Sequence, residues 1–102
     1  MSMMLTGLID LDAPNEAELR GGQTGTFTEV TFPTPFPPNS HVIVIPMVQT
    51  FNGPDTPGVR IADVTTKGFR IRMNEVVVEG KALAPRSGTH TKETIAWLAT
   101  TV

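Results

Sequence analysis

The sequence predicts an all-β fold, a small antiparallel β-sandwich of five or six strands, and three observations carry that expectation. Turn formers recur at short intervals: Gly21-Gly22, Pro33 to Pro38, Asn52-Gly53-Pro54, Pro57-Gly58, Lys67-Gly68, Gly80 and Pro85 to Gly88. The segments between them are short, and their apolar residues alternate or run on continuously, as strands require. A chain of 102 residues with nine Gly and nine Pro makes a single domain, spanning 1–102, with one core and many turns.

In chain order, the one helical candidate is "NEAELR" (Asn15 to Arg20), with Asn15 as N-cap and Gly21 as stop, a turn or two at most. "TFTEVTF" (Thr26 to Phe32) mostly alternates and puts Val30 and Phe32 on one face. "HVIVIPMVQ" (His41 to Gln49) is apolar on both faces, which calls for cover on both sides. "VRIADV" (Val59 to Val64) turns Val59 and Ile61 inward and Arg60 outward. "GFRIRMNEV" (Gly68 to Val76) has Phe69, Ile71 and Met73 on one face and Arg70, Arg72 and Asn74 on the other. "TKETIAWLATT" (Thr91 to Thr101) closes the fold, with Ile95 and Trp97 opposite Ala96 and Leu98. Two strands are thus apolar on both faces, whereas a two-layer sandwich hides one face of each sheet. The surplus predicts an obligate homo-oligomer, with Trp97 in the core or the subunit interface.

Composition narrows the function. Eight basic against ten acidic residues leave no electrostatic footprint for nucleic acid. The absence of cysteine removes disulfides, thiol nucleophiles and Cys-ligated metals. No apolar run approaches a membrane span, and "MSMMLTGLIDLDAP" lacks the basic start and long apolar core of a secretory signal. The expectation is synthesis in the cytoplasm, followed by release or incorporation into a particle, without membrane insertion.

Catalysis is not expected. His41 leads into an apolar strand, and His90 has Glu93 three residues on but no further ligand at usable spacing, so neither a metal nor another cofactor is implied. There is no nucleophile motif and no phosphate loop. Glu75 and Glu93 are different, because each stands at or near the end of an apolar strand face, where a charge needs a partner. Arg60, Arg70 and Arg72 could pair with them in a structural cluster, or these charges could line a polar cleft that bonds sugar hydroxyls. The loop "TFNGPDTPG" (Thr50 to Gly58) adds Phe51 with Asn52 and Asp55 beside it, the minimal kit for a pyranose: an apolar face to cover and hydroxyls to pair. Phe51 either stands out for that purpose or folds back onto the core.

The order of these parts resembles the H-type lectin domain, the discoidin-like binders of galactose and N-acetylgalactosamine. The resemblance rests on Val30, Phe32, Phe36 and Pro38 before an apolar strand, then Val64, Thr65, Gly68 and Phe69, then Trp97, Leu98 and Ala99. It runs from about Thr26 to Val102, with "LTGLID" similar to the family's opening strand, and looks closer to variants in bacterial secreted proteins and phage tail fibres than to animal lectins. It implies a six-stranded sandwich assembled as a trimer, with carbohydrate sites in clefts between subunits. The family's aromatic residue and histidine have no counterpart in "NEVVVEG", so the sugar preference does not carry over. The expectation is a multivalent carbohydrate-binding homotrimer whose ligand residues are Phe51, Asn52, Asp55, Arg60, Arg72, Glu75 and His90. The alternative is a non-catalytic attachment module of a phage tail or other particle.

Overall fold

The computed structural model describes residues 3–12, 22, 24–53, 57–75, 77–78, 81–82 and 92–102. The helical candidate at 15–20, and also Asp55 and His90, lie outside them. Eight strands are described: β1 (Met4–Leu11), β2 (Thr28–Thr31), β3 (Val42–Val48), β4 (Pro57–Ala62), β5 (Gly68–Glu75), β6 (Val77–Val78), β7 (Lys81–Ala82) and β8 (Glu93–Thr101). Six of them form two three-stranded sheets, in the orders β1-β8-β3 and β2-β5-β4, and all pairs are antiparallel. The short β6 and β7 pair with each other. This is the expected all-β sandwich, and each expected strand lies within about two residues of its predicted bounds.

The inner faces follow the period of two. Leu11, Val44, Ile95, Trp97 and Ala99 come from one sheet and Phe69, Ile71 and Met73 from the other. Phe32 and Phe36, on the connection after β2, complete the core. Phe32 meets Phe36 edge-on at 5.3 Å between ring centroids and lies 5.6 Å from Trp97, and Phe69 meets Trp97 edge-on at 5.4 Å. Trp97 is 6% exposed, a core residue as expected. Its indole lies where a Cβ on Gly7, its cross-strand partner, would overlap it, so β1 needs glycine at that point.

The segments carrying the family resemblance build this core. The Thr65 hydroxyl accepts from the backbone N–H of Lys67 (3.1 Å) and Gly68 (3.3 Å), tying the turn before β5. That turn's carbonyls then hold the phenylalanine segment, with Phe32 N–H donating to Lys67 O at 2.9 Å and Phe36 N–H to Thr66 O at 2.8 Å. Gly68 lies so close to the Val30 backbone that a side chain would collide with it. Phe32, Phe36, Phe69, Trp97 and Ala99 of the motif thus pack in the core, and Thr65 and Gly68 hold the turn beside it.

The outer faces differ. On the β1-β8-β3 sheet, Met4, Leu8, Ile43, Ile45 and Met47 are exposed, and Ala96 and Leu98 between them are half-buried. The doubly apolar β3 is therefore covered on one side only within a single chain. On the other sheet the outward residues are mostly polar, with one correction to the sequence reading. Arg72 does not face solvent beside Arg70 but is 5% exposed, its guanidinium donating to the Thr26 hydroxyl.

Candidate functional site

Glu93 is a buried carboxylate held by several hydrogen bonds. Its parity places it on the inner face with Ile95 and Trp97, at the first residue of β8, and it is buried. The chain leaving β3 wraps around its carboxylate. The Thr50 hydroxyl donates to Oε1 at 2.6 Å, Asn52 N–H donates to Oε1 at 3.0 Å, and Gly53 N–H donates to Oε2 at 3.0 Å. Thr50 Oγ1 in turn accepts from Thr94 N–H at 2.9 Å. Charge-assisted bonds of this kind are the stronger class, and together they offset the cost of burying the carboxylate.

The electrostatics agree. The Thr50 hydroxyl is the largest influence and holds the Glu93 carboxyl below the ordinary glutamate value; burial opposes this, and the backbone N–H groups of Asn52 and Gly53 add to it. The sequence reading correctly expected Glu93 to need a partner, but offered it an arginine. The structure corrects that. A hydroxyl and backbone amides satisfy the carboxylate, and the ion pair seen for Arg70 is with Asp63, at 3.7 Å. Thr50 and Gly53 are the residues that sequence reasoning missed. Their signal was the polar, turn-forming "TFNG" following an apolar strand, with a carboxylate on the inner face of the neighbouring strand.

The clamp fixes what stands next to it. Phe51, between two anchored residues, is 90% exposed. Of the six aromatic side chains, four pack in the core and Phe27 is half-buried, so Phe51 is the one left facing solvent. It stands out rather than folding back. Asn52 is exposed beside it; its side-chain N–H groups donate to Lys92 O at 2.9 Å and to Thr50 Oγ1 at 3.4 Å, which leaves Oδ1 as an acceptor with no described donor.

Of the remaining predicted ligand residues, Arg60 and Arg72 belong to the other sheet. Arg60 is exposed on β4, opposite Arg72 in the ladder, and Arg72 is committed to Thr26. Glu75 ends β5 opposite Pro57, and its side chain lies outside what is described, as do Asp55 and His90. Two shallow grooves lie among the described residues. One, of about 500 Å³, runs over the polar sheet between Glu29, Asp63, Lys67 and Arg70. The other, of about 520 Å³, lies on the apolar sheet between Leu8, Ile45, Met47 and Leu98. Among the described residues no cluster of acidic and histidine side chains has the makings of a metal site, and no helix is long and apolar enough to cross a membrane. No protein-family model, curated protein or solved structure matches this chain.

Proposed function

We propose that this chain is a non-catalytic carbohydrate-binding module that acts as a multivalent homo-oligomer and holds its sugar at the loop 50–53. The observation that carries the reading is Phe51. A ring that is 90% exposed loses the benefit of burial, yet the residues on both sides of it are fixed by Glu93. A rigid, exposed aromatic with an amide oxygen beside it offers a pyranose one apolar face and one acceptor. Such a site is weak alone. The uncovered apolar face with Leu8, Ile45 and Met47 supports assembly of several copies, which would turn weak sites into avidity for a dense glycan surface. The same face also favours the second reading, an attachment module of a phage tail or other particle, in which assembly is the main role.

The test is a glycan array with the purified assembly, followed by titration of the best glycan against Phe51→Ala. The expected result is a loss of about tenfold in affinity, the order of one aromatic contact, with the circular dichroism spectrum unchanged. A folded Phe51→Ala variant that binds as before removes the loop from the site. An assembled protein with no glycan bound favours the attachment module.

A further inference from the structure

Two three-stranded sheets have four edges, and an exposed edge is a template for another strand unless something blunts it. Three edges of this chain are blunted. β2 is 4 residues long and carries an exposed Glu29. β4 opens on Pro57 and exposes Arg60. β3 carries Pro46 near its middle, and the ladder shows which way that proline's nitrogen faces. Gln49 N–H donates to Thr94 O at 2.7 Å, and Val102 N–H donates to His41 O at 3.0 Å. The odd-numbered residues of β3 therefore turn their N–H and C=O groups toward β8, and the even-numbered ones turn theirs to the free edge. Pro46 removes a donor from that edge and leaves the pairing with β8 intact, which is where a strand proline protects.

β1 is the exception. Because β8 uses its even-numbered backbone groups on β3, its odd-numbered ones serve β1. The register Leu5↔Ala99, Gly7↔Trp97, Ile9↔Ile95 then assigns the odd residues of β1 to that ladder. Met4, Thr6, Leu8 and Asp10 are left with N–H and C=O pointing along an edge 8 residues long, with no proline and no lysine, which no other described strand covers.

We propose that β1 pairs antiparallel with β1 of a second copy of this chain, about a twofold axis. Two observations select a second copy. Within the strands, the outer face beside this edge carries one charge, Asp10, which the Thr94 hydroxyl binds at 2.6 Å. A neutral, apolar neighbour suits such a face, and its own twin is one. A head-to-tail joint would instead need a second open edge, and Pro46 closes the far side of the same sheet. The β1–β1 joint therefore closes on itself and does not propagate. It merges two β1-β8-β3 sheets into one of six strands and sets their apolar faces side by side, where a second such pair stacks. The number of chains is then even, in contrast to the trimer that the sequence resemblance implies.

Two measurements on the full chain decide it. Light scattering should give an even multiple of 11.0 kDa; a mass of one or three chains overturns the proposal. Hydrogen exchange on the same native protein should show the amides of Thr6, Leu8 and Asp10 as protected as those of Leu5 and Gly7. Exchange of the even set at the rate of open loops overturns it, whatever the mass. Thr6→Pro sharpens the result, because its nitrogen would face the free edge as that of Pro46 does. It should halve the number of chains and keep the β circular dichroism signal, and a folded Thr6→Pro variant of unchanged mass contradicts the pairing.

Discussion

The outer face of the β1-β8-β3 sheet and that of the β2-β5-β4 sheet have the same two-residue period but opposite chemistry. The first exposes Met4, Leu8, Ile43, Ile45 and Met47; the second presents Glu29, Lys67 and Arg70 together with Arg60. Both sheets send apolar side chains inward, so the core does not require the difference. A polar outer face is what an antiparallel sheet needs in water. A contiguous apolar one marks an interaction surface. The contrast supports the proposal that one sheet is finished within a single chain and the other by a partner.

The largest expected effect lies where the two sheets meet. Trp97 packs against Phe32 and Phe69 and over Gly7. Trp97→Ala removes the centre of that layer, at a cost of about 3–5 kcal/mol, enough to unfold a domain of this size. Urea unfolding should find no cooperative transition, and loss of ordered structure should affect both sheets together. A stable Trp97→Ala variant would break the comparison, since the inner layer would then not be shared.

The next test separates the outer faces. Ile45→Lys with Met47→Lys places two charges on the apolar face at positions exposed in the single chain. The fold should survive, and the assembly should fall to a smaller species in light scattering, because buried unpaired charges cost several kcal/mol. The equivalent change on the polar face, Lys67→Glu, should leave the mass unaltered. Equal responses from the two faces would show that the exposed apolar residues are not an interface.

A smaller effect is expected at the end of β8. Glu93 is held below its ordinary value of 4.5 by the Thr50 hydroxyl and the loop amides. A depressed carboxyl stabilises the fold at pH values above its unfolded pKa, and that contribution disappears as pH falls through the lower, folded value. Unfolding followed from pH 7 downward should show the wild type losing stability below about pH 4.5, the ordinary glutamate value. Glu93→Gln should be less stable at neutral pH and lose less on acidification. Parallel curves for the two proteins would remove Glu93 as the source.

Most of the fold was legible because strands announce themselves through alternation and punctuation: Phe69, Ile71 and Met73 against Arg70, or Ile95 and Trp97 against Ala96. The burial of Arg72 was not, since parity assigns a side but cannot say whether a loop covers it; the Thr26 hydroxyl that meets Arg72 is 46 residues away. The exposure of Phe51 was left open for the same reason, and it is decided by Glu93, 42 positions further on by the numbering of the two residues. Composition pointed to charge pairing for Glu93, but hydroxyls and backbone amides solve the same problem without leaving a pattern in the sequence. The apolar surplus on β3 and β8 was visible at once, because it is a property of one strand.

The smallest expected effect completes the contrast between the faces. Arg70 reaches Asp63 at 3.7 Å, with side chains 41% and 58% exposed, and its Nη1 donates to the Thr24 hydroxyl at 3.2 Å. Water screens an ion pair at that exposure, so its contribution is about 0–1 kcal/mol and falls with salt. Asp63 adds a second consideration, since it sits at φ 52°, in the left-handed region that few side chains favour. Aspartate tolerates this conformation better than most residues, so the turn does not depend on the arginine to exist. Arg70→Ala should therefore lower the midpoint of urea unfolding slightly at low salt and hardly at all in 0.5 M NaCl, with no change in mass. A loss of more than about 2 kcal/mol, beyond the range of surface substitutions away from special features, would mean that the polar sheet also bears on a partner.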